Sequence, residues 1–265
     1  MVGKKQRYFS WLCQPFFVSM VYLFLYLPII IMVLFSFNKS AMPMKWGGFS
    51  LQWYSKMWDI PEMVSALKTS IIVAFCTTAL SLIVGVCFVI AHKWWKSLML
   101  FSLFYINILL PDIVLAIGVL SIFTFAHIPL GYGSLIVGHT LIGLGFVIPI
   151  IRARFIELDP FLTEASLDLG ASYFQTFRRI IIPLLMPSIV AGGLLVFTLS
   201  LDDFLIAFFC SGPKVQTLSV YVYSMVKAGV DPTINAISAV LLGISGVLVL
   251  VLLSLNIIDQ VLSQD

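Results

Sequence analysis

Asp112 stands in the stretch NILLPDIVLAIGVL, a carboxylate surrounded by apolar side chains. An acid in such a place is costly to keep and marks a functional site by default. Its neighbour Pro111 has no N–H to donate, so in a helix the carbonyl of Asn107, four residues back, is left free. One turn then presents an acid and a spare acceptor, groups that suit a cation and not an oxyanion. Two readings of Asp112 stay open: a ligand for a cation, or an acid that is protonated or paired with a basic group of a partner. Asp202 and Asp203 form a second acidic group, followed at once by FLIAFFC, and are either a site or ordinary boundary acids facing water. Asp231, ahead of Pro232, reads as a helix cap.

Little else in the chain carries chemistry. His92, His127 and His139 are scattered and read as structural, and they form no grouping of nucleophile, base and orienting residue. Cys13, Cys76, Cys87 and Cys210 have neither CxxC nor Cys/His ligand spacing, so no zinc site or disulfide framework is expected. Gly138 and Gly143 have the glycine spacing of a phosphate loop, but Leu144 replaces its lysine, so the chain is not itself an ATPase. A net charge of +3 gives no case for nucleic acid.

The elements that must position these residues are membrane helices. The chain has 265 residues, 61% apolar and 10% charged, with mean hydropathy +1.09, far too little polar surface for a water-soluble domain. A bilayer core needs about 20 apolar helical residues. Six stretches qualify: about Phe16 to Phe37, Ser70 to Ala91, Leu98 to Phe125, Leu135 to Ile151, Met186 to Phe204 and Ala236 to Ile258. The opening MVGKKQRYFSWLCQPF looks like the start of a signal peptide, but the apolar stretch behind it is too long and lacks a cleavage site, so an uncleaved first span is expected. No internal repeat is visible between the two halves.

Basic residues set the direction. Lys4, Lys5 and Arg7 precede the first span, Lys93 and Lys96 follow the second, and Arg152, Arg154, Arg178 and Arg179 lie between the fourth and fifth. The positive-inside rule places these segments, and both termini, in the cytoplasm, although Lys39, Lys45, Lys56, Lys68, Lys214 and Lys227 on the other side make the bias moderate. Asp112 then falls ~21 Å up a straight third helix, in the outer half of the bilayer. The acid pair lies at the outer end of the fifth span, ~28 Å from Pro183. FLIAFFC is too short for a span and is expected to be a re-entrant or interfacial segment packed on protein, with the acids at a pore mouth. Trp46, Trp53, Tyr54 and Trp58 on the outer side form either an interfacial belt, the more usual role, or, for Trp46 and Tyr54, a cation–π wall. Tyr221 and Tyr223 admit the same two readings.

The cytoplasmic loop, about residues 152–185, has its own architecture. Asp159 and Pro160 predict a helix start, with Asp159 as N-cap and Pro160 at the first position. Phe161, Leu162, Ala165 and Leu169 share one face, and Glu164 and Asp168 lie four apart on another. Gly170 can end the helix in the left-handed conformation. Ser172 and Gln175 have capping-box spacing for a second short helix carrying Tyr173, Phe174 and Phe177, followed by Arg178 and Arg179, with Pro183 and Pro187 closing it. Physics alone leaves two roles for this hairpin: resting on lipid or docking a partner.

The order Glu164-Ala165-Ser166, Gly170 and Ile180-Ile181-Ile182-Pro183 resembles the EAA…G…I-x-LP signature of the membrane subunits of binding-protein-dependent ABC importers. Ser166 replaces the second alanine and Ile182 a leucine. The resemblance implies an all-α membrane protein, six transmembrane helices in the type I ABC importer permease fold, as one domain over residues 1–265. It implies that the loop inserts into a cleft of a cytoplasmic ATPase, with Glu164, Ala165, Gly170, Phe174, Phe177, Arg178 and Pro183 as coupling residues. The implied partners are a second homologous permease, two copies of the ATPase, which carry ATP and Mg, and an extracytoplasmic binding protein. This chain itself is expected to bind no cofactor, no metal and no nucleic acid, and to lie in lipid of a bacterial inner membrane.

The stretches NILLPDIVLAIGVL, LSLDDFLIAFFCSGP, TLSVYVYSMVKAGVDPTINA and FSFNKS resemble the branch of that family that imports spermidine and putrescine. A polyamine is a chain of ammonium groups separated by methylenes, so its path should offer spaced carboxylates and apolar or aromatic walls. Asp112, Asn107, Asp202, Asp203, Trp46 and Tyr54 are the expected path residues. The alternatives are an importer of the same class carrying another small solute, an ion-coupled carrier using Asp112, which leaves the loop signature unexplained, and a structural membrane protein, which does not require the acids.

Overall fold

The computed structural model describes residues 3–42, 45–95, 98–229 and 231–262. Among these the chain is all-helical: α1 (Gly3–Ser36), α2 (Gln52–Lys56), α3 (Pro61–Trp95), α4 (Leu98–Leu109), α5 (Asp112–Phe125), α6 (Tyr132–Glu157), α7 (Leu162–Asp168), α8 (Tyr173–Thr176), α9 (Ile182–Asp202), α10 (Leu205–Cys210), α11 (Leu218–Ala228) and α12 (Pro232–Leu262). Five segments are long and apolar enough to cross a membrane: Pro15–Ser36, Pro61–Ala91, Tyr132–Glu157, Tyr173–Asp202 and Pro232–Val251. The α4–α5 pair makes a sixth if it is counted as one broken span. Lys96, part of one basic cluster used to orient the spans, lies outside the described residues.

That pair corrects the expectation of a straight third helix. α4 and α5 are bent by 118° at Leu110-Pro111. Proline disfavours helical geometry at the residue before it and supplies no N–H, and Pro111 itself adopts an extended ψ of 134°. The chain turns there, and Asp112 becomes the first residue of α5. A depth counted along a straight helix therefore does not apply to it.

The chain divides into two compact units, residues 1–60 with 225–243, and residues 61–224 with 244–265. In the first, Asn38 organises the loop after α1. Its side chain donates to Lys45 O at 2.7 Å and accepts from the N–H groups of Gly47 at 2.7 Å and Ser40 at 3.2 Å. Its carbonyl receives the Trp53 indole N–H at 2.6 Å. Asp231 caps α12 as expected, accepting from Thr233 N at 2.7 Å.

In the second unit α3, α6 and α9 pack against one another. In a bilayer no hydrophobic force drives helices together, so close approach depends on small side chains. Gly85 on α3 and Gly143 on α6 lie where a neighbouring helix leaves no room for a Cβ, and at Gly193 on α9 a Cβ would be tight against Leu82. Around them Val86, Val89, Val147, Ile148, Leu185 and Val196 form a buried core. A Cβ at Gly85 would lie 2.6 Å from Cγ1 of the fully buried Val147. Gly85→Leu is accordingly expected to destabilise the unit by about 1–3 kcal/mol through overpacking, read as a lower melting temperature in detergent. Asn107 ties α4 to α6, donating to Leu141 O at 2.5 Å. FLIAFFC forms α10, whose Ile206, Ala207 and Cys210 are buried against α5 and α6. It is a short helix packed on protein, as its composition predicted.

The loop after α6 departs from expectation at both helix boundaries. The first loop helix starts at Leu162, two residues beyond Pro160, because Asp159 instead forms a local turn in which its carboxylate accepts from Phe161 N at 2.9 Å. The second is not closed by Pro183: α8 runs through a π-turn at Phe177–Ile181 directly into α9. Pro183 cannot donate to the carbonyl of Arg179 and would crowd it in an α-helix; the wider π-turn just before it accommodates the break.

Candidate functional site

A cavity of about 120 Å³ lies in the second unit, lined by Asp112, His139, Ser200 and Asp203 and walled by Ile142, Phe146, Val196 and Leu199. Three elements build its polar face. Asp112 opens α5, where a carboxylate is favoured by the helix dipole. Ser200 and Asp203 lie three apart at the end of α9, on one face. The Asp203 carboxylate also accepts from Ala207 N at 2.9 Å, holding the start of α10. His139 enters from α6 and is 3% exposed. Its Nδ1 lies 2.8 Å from Ser200 Oγ and its Nε2 3.6 Å from Asp203 Oδ2.

Two carboxylates on one small cavity repel each other, and a cation between them removes that repulsion. The apolar walls, Phe146 among them, suit methylene groups.

The structure thus joins Asp112 to Asp203 and separates Asp202 from both. Asp202 is exposed and receives the Ser245 hydroxyl at 3.2 and 3.3 Å. Asn107 spends its side chain on Leu141, and neither it nor Asp202 lines the cavity. Trp46 and Tyr54 belong to the first unit. Trp46 packs edge-on to Phe35, while the Tyr54 hydroxyl meets Ser36 Oγ at 2.7 Å. Tyr223 stacks near Phe204. His139 reads as a structural residue in the sequence but lines the cavity, and Ser200 lines it with no sequence expectation attached. A usable signal existed: Ser200 shares a helix face with Asp203, and His139 sits between Gly138 and Gly143, on a helix stretch made for close packing.

The second feature is the α7–α8 hairpin. Gly170 takes φ +86°, a left-handed value that other residues rarely adopt. The Gly170 N–H bonds Leu167 O at 2.9 Å and the Ala171 N–H bonds Ser166 O at 3.1 Å, the paired bonds of a Schellman cap. The capping box forms as predicted, with Gln175 N to Ser172 Oγ at 3.2 Å and Ser172 N to Gln175 Oε1 at 2.9 Å. Ser166 and Thr176, both buried, share a hydroxyl–hydroxyl bond of 2.9 Å that clamps the two helices. The serine that departs from the EAA signature is therefore an internal strut.

The hairpin leaves several large apolar side chains outside. Leu169 is 90% exposed, and Phe161, Tyr173 and Phe174 each about two-thirds exposed. Glu164, Ala165, Arg178 and Pro183 are exposed as well. Phe177 is the exception among the expected coupling residues: it is half-buried against the core that holds Ile181 and Leu185.

Residues 77–265 match the family of the binding-protein-dependent transport system inner membrane component. The chain belongs to that family. As a member of it, the protein is a membrane-embedded permease subunit of an ABC importer. It is 36% identical over 237 residues to the spermidine/putrescine transport system permease protein PotC of Escherichia coli (strain K12), covering 88% of this chain and 90% of that one. It is 37% identical to the PotC of Haemophilus influenzae, covering 90% and 93%. The putrescine transport system permease protein PotI of Escherichia coli (strain K12) is 36% identical, with 84% and 83% covered. Among solved structures, the permease resembles a chain of a bacterial ABC transporter involved in the import of the acidic polysaccharide alginate, with TM-score 0.60, 15% identity and 97% of each chain covered. At that identity the likeness speaks for the fold, the six-span type I importer permease arrangement.

Proposed function

We propose that this permease conducts polyamines, spermidine or putrescine, into the cytoplasm, driven by ATP hydrolysis in a separate subunit. The observation that carries the reading is the pairing of Asp112 and Asp203 on one apolar-walled cavity. Acid groups with methylene-compatible walls match an alkylammonium chain and oppose an oxyanion, whose path should carry Lys or Arg. The similarity to PotC and PotI along most of the chain supports the same class of substrate.

The partners in this reading are a second, PotB-like permease, two copies of a PotA-like ATPase holding ATP and Mg, and a PotD-like extracytoplasmic binding protein. The chain lies in the inner membrane with both termini and the α7–α8 hairpin in the cytoplasm, where Glu164, Ala165, Gly170, Phe174, Phe177, Arg178 and Pro183 belong to the ATPase contact. Phe177 acts there from within, as a packed support of the hairpin. An ion-coupled carrier built on Asp112 would have no use for a rigid hairpin with exposed apolar knobs.

The test is uptake of labelled spermidine and putrescine by the complete complex in proteoliposomes. Saturable uptake that requires ATP and the binding protein is the expected result. ATP-driven transport of a different solute, with none of either polyamine, would sink the proposal.

A further inference from the structure

We infer that His139 is a specificity-determining ligand of the permeant primary ammonium group, neutral and presenting Nε2 as a hydrogen-bond acceptor beside the Asp203 carboxylate. This rests on the polyamine reading and names how one end of the molecule is recognised. His139 is 3% exposed, and its Nε2 is buried with no hydrogen-bond partner among the described residues. Native proteins rarely leave such an atom unsatisfied without a functional reason. The ring lines the cavity with Asp112 and Asp203, so the orphan nitrogen and both carboxylates converge on one space.

The contacts of the ring fit one tautomer in particular. A ring nitrogen's state is set by the bond its partner nitrogen makes, and Nδ1 is committed to Ser200 Oγ at 2.8 Å. A proton on Nε2 would draw the Asp203 carboxylate into a charge-assisted bond of about 2.7–2.9 Å. The separation is 3.6 Å, too long for a hydrogen bond, so Nε2 does not donate to Asp203. In the inferred tautomer Nδ1–H donates to the serine, and Nε2 and Asp203 Oδ2, which already accepts from Ala207 N, leave room for a donor between them.

A primary ammonium carries three N–H donors and no acceptor, so it can satisfy Nε2, Asp203 and Asp112 together. A quaternary ammonium has no N–H to offer, and an oxyanion would meet only acceptors. The neutral ring also serves release. A third carboxylate in its place would hold a polycation more tightly, whereas conduction needs binding weak enough to leave.

The experiment compares His139→Asn with His139→Gln in the reconstituted complex. Asparagine places its amide near the position of Nδ1 and keeps a partner for Ser200 but nothing at Nε2; glutamine reaches the Nε2 position. Loss of one hydrogen bond to a charged group predicts a KM for spermidine about ten-fold higher in His139→Asn, and within about two-fold of wild type in His139→Gln. The reverse ranking assigns His139 to the Ser200 contact alone and overturns the inference, as do two variants that both behave as wild type. If neither variant assembles, 15N-labelled histidine in the wild-type complex decides: an unprotonated Nε2 whose resonance moves on adding spermidine supports the assignment, and a protonated Nε2 overturns it. A wild-type complex that imports another solute and no polyamine removes the polyamine reading itself, an outcome visible before any variant is made.

Discussion

Asp112→Asn is expected to lower polyamine uptake by roughly 30- to 100-fold at subsaturating substrate, the loss of about 2–3 kcal/mol from one charge-assisted contact in a membrane cavity. The substitution is well suited to isolate the path. Asp112 is exposed on the single chain and opens α5, and no side-chain cap holds that helix end. Asparagine keeps the shape, and the lost helix-dipole interaction costs only tenths of a kcal/mol. A fall in uptake with unchanged assembly therefore reports on the cation and not on folding. Asp202→Asn is the internal comparison. Its carboxylate meets Ser245 and does not line the cavity, so its effect should be far smaller. Uptake by Asp112→Asn equal to wild type would remove Asp112 from the path, and equal losses at Asp112 and Asp202 would remove the cavity as its centre.

The second large effect is expected at the hairpin. Leu169→Asp and Phe174→Asp should each weaken ATPase association by about 30-fold or more, the cost of losing an apolar anchor worth 2 kcal/mol or above at the centre of an interface. Leu169 is 90% and Phe174 67% exposed in this chain, so neither substitution removes a buried core contact. The hairpin that presents them is fixed by the Schellman bonds at Gly170, the Ser172–Gln175 box and the Ser166–Thr176 bond, so docking sacrifices little conformational entropy. Co-purification of the ATPase with each variant, followed by ATP-dependent uptake, is the measurement. Full co-purification with both would mean that these knobs rest on lipid, the other role open to an amphipathic hairpin.

How far each of these features is legible in the chain depends on the range of the interactions that make it. Those set by neighbours along the chain were readable from residue order: the apolar spans, the left-handed Gly170, the Ser172–Gln175 box and the Asp231 cap all involve groups within a few residues. The EAA-like order carried the family for the same reason, as a local pattern on one loop. Local reading erred where two local preferences competed. Pro111 reads as a defect within one helix but ends it, while Pro183 reads as an end but is passed through a π-turn.

The cavity is of another kind. Asp112, His139, Ser200 and Asp203 come from three elements, and nothing in their separate surroundings predicts that they meet. Their meeting depends on the 118° turn at Pro111, on α10 packing against α5 and α6, and on glycines that let α3, α6 and α9 approach. Residue order alone determined that the chain is a membrane permease and that its loop carries the Gly170 turn and the Ser172–Gln175 box. Only the packing of helices decided which of its acids line one cavity and that a buried histidine of α6 meets α9 beside one of them, because side-chain convergence across helices is set by bends and close contacts summed over the whole unit.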